Sequence, residues 1–303
     1  MSTSTHCAST LGVLHELAEL SENGSNVVRL VFDELKRLGF KPKKVDCGVT
    51  VDIGRGKRRL AFFSDASALQ SAILLAAIER TDYPTIPLRF VFGASGEGSV
   101  REQGLLDGVV EAYAFKPCEE LEVGKLGYCY GAACAGQAVF VSRPTCAEKL
   151  DAETAEKAAL YVTNVGKRSA SECGVSLDVD KASDGETVYT ARYFDQAKGE
   201  RVIMELELAA LASDDMFGAT HDTAIEFVCP PVINHALSVD KARAAAGDDA
   251  VEVEPSDGFD EFANVLAYTP GCLIFLGTGR STDAQCVVNV GAAAVKKLIE
   301  THF

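Results

Sequence analysis

A short strand pattern passes almost directly into an apolar helix pattern, and this junction constrains the fold more than any other feature of the chain. Leu60 to Phe63 is a short apolar run of the kind found in buried strands. After Ser64-Asp65-Ala66-Ser67 the chain enters Ala68 to Ile78, whose apolar composition predicts a buried helix. A buried strand joined to a buried helix by so short a turn favours an α/β fold, in which helices cover a sheet.

Strands and helices alternate in the same way near both ends of the chain. Pro87 to Phe92 predicts a central strand, and Cys272 to Leu276 predicts a strand that leads to a C-terminal helix, Ala292 to Thr301. Val49 to Val51 and Leu60 to Phe63 flank a Gly-Arg-Gly turn and predict a hairpin. Together these patterns predict an α/β domain with a mixed sheet.

The middle of the chain has a different character. A helix that begins at Asp151 is followed by two strand-like pieces within Ser176 to Tyr193 and by an amphipathic helix, Lys198 to Ala212. This helix–strand–strand–helix order predicts an inserted α+β unit. A further strand, Ala224 to Val228, is assigned to the main domain because the alternation of strands and helices resumes there. The predicted domains are residues 1–127 with 217–303, and the insertion 128–216.

Composition disfavours several classes of function. The net charge is −15 and the isoelectric point is near 4.8, which disfavours binding to nucleic-acid phosphates. No apolar run reaches the ~20 residues of a membrane-spanning helix. Met1 to Leu11 lacks the basic and apolar segments of a signal peptide, so we expect a cytoplasmic protein. The ten cysteines are scattered without a CxxC pair, which favours reduced thiols over a metal site or disulfides.

Short motifs in a fixed order resemble one enzyme family. Leu60 to Leu69 is similar to Arg-Ala-Asp-Met-Asp-Ala-Leu, and Phe92 to Gly98 is similar to Phe-Gln-Pro-Ala-Glu-Glu-Gly. Motifs similar to Glu-Asp-Phe, Pro-Gly and Leu-Gly follow at Phe259 to Phe262, Thr269 to Cys272 and Leu276 to Gly279. In this order the chain resembles the zinc metallopeptidase family of aminoacylases, indole-acetyl-amino-acid amidohydrolases, carboxypeptidases and succinyl-diaminopimelate desuccinylases.

The resemblance implies a fold and a chemistry. The fold is a three-layer α/β/α metallopeptidase-like (phosphorylase/hydrolase-like) domain with a mixed sheet, plus an inserted α+β ferredoxin-like lid that often mediates dimers. The chemistry uses two bridged divalent metals, which polarise an amide carbonyl and generate hydroxide while a Glu moves the proton. The metal ligands of the family come from a Cys-Gly-His-Asp-Gly-His loop, a Glu and two further His residues.

Two departures from the family pattern remove parts of that chemistry. The Cys/His loop would stand between Gln70 and Ser71, which are consecutive here. The Glu-Glu pair of the family is Gly96-Glu97, so the position of the general base is a glycine, while Glu97 keeps the position of the metal-binding carboxylate. No catalytic residue is therefore assigned.

Other ligand positions differ as well. Lys116 stands where the family has a His ligand, and 279–288 contains no counterpart of the C-terminal His. The Gly-His pair of the lid is replaced by Ser142 to Cys146. Because carboxylates held close together repel each other without a cation, the Lys116 ammonium would replace part of the lost positive charge. We expect Lys116 to pair with Glu97, with Asp65 as a further partner; the alternative is that Lys116 points to solvent.

These departures favour a non-catalytic relative whose cleft binds a small ligand or a partner protein. The former metal site, with no metal, would contain Asp65, Glu97, Lys116 and Glu261. Further cleft candidates are Asn234, His235 and Asp260, although a loop His is more often exposed than a ligand. No cofactor is expected, nor a nucleic-acid or membrane partner. The resemblance to the lid adds a homodimer as a further prediction.

The alternative is a working hydrolase of N-acyl amino acids or small peptides with a rebuilt metal site. Its ligands would be drawn from Asp65, Glu97, Glu102, Asp260, Glu261 and His235. Such an oxygen-rich set suits one or two Mg or Mn ions better than Zn. Activation by added metal and loss of activity with a chelator would separate this hydrolase from a binding protein. The sequence leaves open whether the protein is an enzyme.

Overall fold

The computed structural model describes residues 24–46, 48–65, 67–81, 84–93, 99–145, 151–182, 185–279 and 283–302. The chain divides into two compact units. The first consists of Met1–Ala133, Ile233–Glu254 and Glu261–Phe303, and the second of Cys134–Val232 and Pro255–Asp260. Within the described ranges, no helix has the length and apolarity needed to cross a membrane.

The first unit is built on an eight-stranded mixed sheet. In spatial order the strands are β1 (Lys43–Val45), β2 (Gly48–Ile53), β4 (Leu88–Gly93), β3 (Arg59–Ser64), β5 (Val109–Cys118), β14 (Gly271–Gly277), β6 (Leu126–Tyr128) and β13 (Ala250–Glu252). The central strands β4, β3, β5 and β14 run in parallel. Their C-termini meet at one end of the sheet, called the carboxyl end below, and their N-termini at the other, the amino end.

Four long helices share one buried core with a face of this sheet. They are α1 (Gly24–Arg37), α2 (Ala68–Arg80), α6 (Ala236–Ala246) and α8 (Ala284–Glu300). On that face the rings of Phe90, Phe62 and Tyr113 stack across three strands, with centroids 5.4 and 5.9 Å apart. On the other face the Phe63 ring contacts Phe262, 5.8 Å away, beside the short helix α7 (Ala263–Leu266). Full burial of each such ring stabilises the fold by about 1.5–3 kcal/mol.

The second unit is a four-stranded antiparallel sheet with two long helices. Its elements are β8 (Gly136–Thr145), α4 (Ala152–Cys173), β9 (Ser176–Lys181), β10 (Thr187–Tyr193), α5 (Gln196–Phe217) and β11 (Thr220–Cys229). The spatial order β11-β8-β10-β9 with a β-α-β-β-α-β chain order is the ferredoxin-like arrangement. Asp151 and Asp195 cap the two helices at their starts, and left-handed Gly174 and Gly218 end them. The short elements of the chain not yet named are α3 (Ser99–Glu102), β7 (Gly131–Cys134), β12 (Val232–Asn234) and a 3-10 turn, Gly247–Asp249.

The fold class is the predicted one, an α/β/α unit with a mixed sheet plus a ferredoxin-like unit, but two strands have other partners than predicted. The runs predicted as a hairpin are β2 and β3, and β4 lies between them and pairs with both. All six residues of β4 are buried, as suits a central strand. The strand predicted at Ala224 to Val228 is part of β11, which pairs with β8. The second unit therefore extends to Val232, beyond the predicted limit of 216.

Candidate functional site

The turn from β3 to α2 is short and closed by its own side chains. Asp65 Oδ1 accepts the N–H of Ser67 at 2.9 Å, and the Asp65 N–H donates to Gln70 Oε1 at 3.1 Å. Ser67 Oγ accepts the N–H of Gln70 at 3.4 Å and so caps the helix. Gln70 and Ser71 are consecutive residues of α2. The helix therefore runs through the point at which the family's ligand loop would enter.

Lys116 lies at the same end of the sheet on the neighbouring strand. Phe63 of β3 pairs with Ala114 of β5, so Asp65 and Lys116, each two residues further along parallel strands, stand at the same level. Lys116 also pairs in register with Phe275 of β14 and is half-buried. Neighbouring strands are about 4.8 Å apart, which puts a Lys116–Asp65 ion pair within the reach of the two side chains.

The other residues predicted for this site do not all lie near Asp65 and Lys116. Gly96 and Glu97 lie outside the described residues, so the Lys116–Glu97 pair stays a prediction. Glu261 is exposed and precedes Phe262, whose ring packs against β3 close to its carboxyl end. Glu102 is exposed at the end of α3. Asp260 belongs to the second unit, where its carbonyl oxygen accepts the thiol of Cys229 at 3.3 Å.

Asn234 and His235 lie at the amino end of the sheet and do not join Asp65 and Lys116. The N–H of His235 donates to the carbonyl oxygen of Gly271, the first residue of β14, at 2.9 Å. The His235 side chain is exposed and makes no capping hydrogen bond to α6. It lines an open groove of about 530 Å³ together with Ile233, Leu266 and Tyr268 among others.

The Asn234 side chain has a structural role. Its amide nitrogen donates to the carbonyl oxygens of Cys129 and Leu273 at 3.0 and 3.1 Å, and its amide oxygen accepts the Leu273 N–H at 2.7 Å. Only 3% of the residue is exposed. Both ends of the buried amide are therefore bonded to the backbone, and Asn234 ties β14 to the segment after β6.

A buried polar cluster that no sequence motif indicated also lies at the amino end. Glu111 of β5 is its centre: Glu111 Oε2 accepts Lys241 Nζ at 2.6 Å and lies 2.9 Å from His302 Nε2. Ser238 Oγ donates to Glu111 Oε1. The Tyr113 hydroxyl lies 3.2 Å from His302 Nε2. The cluster thus joins β5, α6 and the residues that follow α8.

The charge of this cluster follows from its hydrogen bonds. His302 Nδ1 lies 2.8 Å from the carbonyl oxygen of Leu298, and Nε2 lies 2.9 Å from Glu111 Oε2, so the ring bridges α8 and the carboxylate. Burial raises the pKa of Glu111, but hydrogen bonds from His302, Lys241, Ser238 and Tyr113 outweigh it and lower that pKa to about 2. Glu111 is therefore a buried carboxylate at neutral pH, and its role is to hold the fold together.

The described residues of the carboxyl end do not fit the dinuclear metal centre that the resemblance implies. In the described part of the chain, no three His, Cys, Asp or Glu side chains come together as metal ligands would. Lys116, which stands level with Asp65, is a cation that offers donors only. A zinc site needs several nitrogen, sulfur or carboxylate ligands at close range. We therefore derive no reaction step through a metal.

Comparisons with known proteins identify the fold. No protein-family model and no curated protein matches the sequence. The YXEP protein of Bacillus subtilis, titled a dinuclear metal binding peptidase from the M20 family, matches with a TM-score of 0.76 and 18% identity over 96% of this chain and 98% of that chain. A putative aminohydrolase from methicillin-resistant Staphylococcus aureus matches with a TM-score of 0.74 and 15% identity over 97% of both chains. The aminobenzoyl-glutamate utilization protein of Klebsiella pneumoniae matches with a TM-score of 0.71 and 14% identity over 100% of this chain and 98% of that chain. This chain thus has the fold of the M20 peptidases and aminohydrolases.

Proposed function

We propose that this protein is a non-catalytic relative of the M20 amidohydrolases whose cleft at the carboxyl end binds a small polar ligand. The turn from β3 to α2 carries the proposal, because Gln70 and Ser71 are adjacent in one helix and leave no entry for a loop of metal ligands. Hydrolysis of an amide needs both an activated water and a group that moves its proton. The position of that group is Gly96 in this sequence. Ligand binding requires neither of these groups, so it is the function that remains. We place the protein in the cytoplasm.

Lys116 gives the proposed cleft its charge balance. Lys116 stands level with Asp65 of the neighbouring strand β3, and the sequence puts Glu97 after β4, which lies on the far side of β3. An ammonium can donate three hydrogen bonds, enough to join both carboxylates, whereas two bare carboxylates would repel each other. A cleft neutralised in this way favours a ligand with hydrogen-bond donors and acceptors over a metal ion.

We expect the purified protein to contain no stoichiometric Zn, Mn or Mg and to take up none on dialysis against each ion. The measurement is elemental analysis of protein purified without a metal-affinity column. The YXEP protein of Bacillus subtilis, described as a dinuclear metal binding peptidase, is the positive control. Near-stoichiometric metal with chelator-sensitive hydrolysis of N-acyl amino acids would contradict the proposal and support the hydrolase with a rebuilt site.

We also propose that the second unit mediates a homodimer through an exposed apolar face. Met204, Leu208 and Leu211 recur along one side of α5 and are 52, 51 and 59% exposed. Ile225 and Phe227 of the edge strand β11 are 40 and 43% exposed. Large exposed apolar side chains that recur along one helix side and one edge strand are what an interaction site requires.

The double variant L208E/L211E is expected to convert that dimer into a monomer. Each buried leucine contributes about 1.5–3 kcal/mol, so the dissociation constant should rise by about a hundredfold or more. Sedimentation velocity over a range of protein concentrations measures this shift. The variant K198E, which changes the charge by the same amount at an exposed position on another side of the same helix, should remain a dimer. A wild-type protein that stays monomeric at all concentrations would overturn this assignment.

A further inference from the structure

The strand at one edge of the eight-stranded sheet is surrounded by cations. Between residues 36 and 46, five exposed Lys and Arg side chains accompany one Asp residue, in a chain of net charge −15. The cations are Lys36, Arg37, Lys41, Lys43 and Lys44. Arg37 is paired with Glu34. The β1 side of the sheet, named the basic edge by these five residues, is therefore positive.

The strand at the opposite edge lies in an acidic segment. Residues 244–279 contain seven Asp and Glu residues and no Lys or Arg. Four of the seven lie on β13 or beside it: Asp248, Asp249, Glu252 and Glu254. These four define the acidic edge. Two cations also face it, since Lys125 pairs with Asp249 at 3.2 Å and Arg243 interacts electrostatically with Glu252. The carboxylates outnumber them, and the acidic edge stays negative.

The directions of the two edge strands are complementary. β1 is antiparallel to β2, which is antiparallel to β4, so β1 runs in the direction of the central strands. β13 is parallel to β6, and β6 is antiparallel to β14, so β13 runs the opposite way. A second copy placed beside the first in the same orientation would therefore bring its β1 antiparallel to β13. In the described residues each strand has a sheet neighbour on one side only, which leaves outward N–H and C=O groups for such a pair.

We propose that the acidic edge of one copy docks on the basic edge of another, so that the sheet continues head-to-tail between molecules. Like edges repel each other, because two basic edges or two acidic edges would bring equal charges together. Unlike edges attract each other, so the charges that prevent pairing of like edges also favour the contact between a basic edge and an acidic edge. A long polyanion also suits the basic edge, but it would have to pass the acidic remainder of the molecule. A short acidic segment, as in β13, avoids that cost.

The assembly is expected to be weak and open. Exposed ion pairs contribute only about 0–1 kcal/mol each, so association requires concentrated protein and low salt. A head-to-tail contact uses different surfaces on the two partners and does not close by itself, so it produces chains of increasing length. This proposal does not depend on the ligand cleft. It also differs from the apolar dimer of the second unit, because salt weakens only the contact between charged edges.

The test is the weight-average mass of the full chain, measured by light scattering or sedimentation against protein concentration. At about 0.05 M salt, where charges act over more than 10 Å, we expect the mass to grow with concentration to at least twice its high-salt value. At about 1 M salt, where charges act over about 3 Å, the growth should disappear. Mass that does not depend on salt, or that grows with salt, would overturn the proposal.

Charge-reversal variants identify the surfaces. K43E/K44E reverses the charge of the basic edge on strand β1, E252K/E254K reverses the charge of the acidic edge on and beside β13, and each alone should lose the salt-dependent growth. A mixture of the two should regain it as alternating copies, since the two unchanged edges attract each other and so do the two reversed ones. The control K296E/K297E makes the same charge change as K43E/K44E on exposed residues of α8 and should behave as the wild type. Three results would each contradict the proposal. The first is an equal loss of growth in the control and edge variants, and the second is no association in the mixture. The third is binding of single-stranded RNA or anionic vesicles by the basic edge without self-association.

Discussion

Glu111→Gln is expected to lower the free energy of unfolding by about 3–5 kcal/mol, the cost of breaking a buried ion pair from one side. The Glu111 side chain is 8% exposed and the His302 side chain 7% exposed, so water cannot replace the lost carboxylate beside the His302 ring. Lys241 is more exposed and can turn to solvent. Urea denaturation measures the change. Glu119→Gln, at an exposed position of the same unit, should change stability by less than about 0.5 kcal/mol.

The same variant should alter the dependence of stability on pH. The pKa of Glu111 is lowered in the folded state to about 2, below its ordinary value of 4.5, so ionised Glu111 stabilises the folded state above pH 4.5. That contribution, about 3 kcal/mol, is lost as pH falls from about 5 towards 2. The stability difference between wild type and Glu111→Gln should therefore shrink over this range. A difference that stays constant from neutral pH to pH 3 would mean that the carboxylate is not the stabilising group.

Local patterns predicted the parts of the fold that depend on residues close in sequence. Ser67 caps α2 through its own third neighbour, so the turn from β3 to α2 follows from one short stretch of chain. The apolar run of β4 likewise identifies a buried strand. The order of the motifs along the chain also indicated the fold, and the solved structures that match this chain have the same fold. Local patterns and the order of motifs are both present in a single sequence, so both could be used for prediction.

Strand partners could not be predicted in the same way. The alternating pattern of β11 shows a strand, but pairing with β8 depends on residues about eighty positions earlier. The partners of Glu111 are equally remote, since Ser238, Lys241 and His302 come from the last quarter of the chain. One signal was available: Glu111 and Tyr113 are alternate residues, hence on one face, in a strand that is otherwise apolar up to Phe115. A polar pair in such a position requires buried partners.

Average charge also concealed a local feature. The net charge of −15 disfavours anionic partners for the chain as a whole, but it says nothing about where the cations are. Only the pairing of β1 with β2 makes 43–45 an edge strand and places its lysines at one edge of the sheet. The predicted absence of polyanionic partners therefore applies to the surface on average. The charge-reversal variants test whether that prediction also holds at the basic edge.

Asn234→Ala is expected to lower the free energy of unfolding by about 2–5 kcal/mol, although Asn234 was predicted as a cleft residue. The substitution removes three hydrogen bonds and leaves the carbonyls of Cys129 and Leu273 and the Leu273 N–H without partners, each at about 1–3 kcal/mol before the chain relaxes. Asn234→Asp has nearly the same shape but turns two attractive contacts into repulsive ones, and it should cost at least as much. Urea denaturation measures both. Asn164→Ala, at an exposed position of α4, is the control and should be nearly neutral. If Asn234→Ala kept wild-type stability and instead lost ligand affinity, the residue would belong to a binding site at the amino end, and the carboxyl end would no longer be the site to test first.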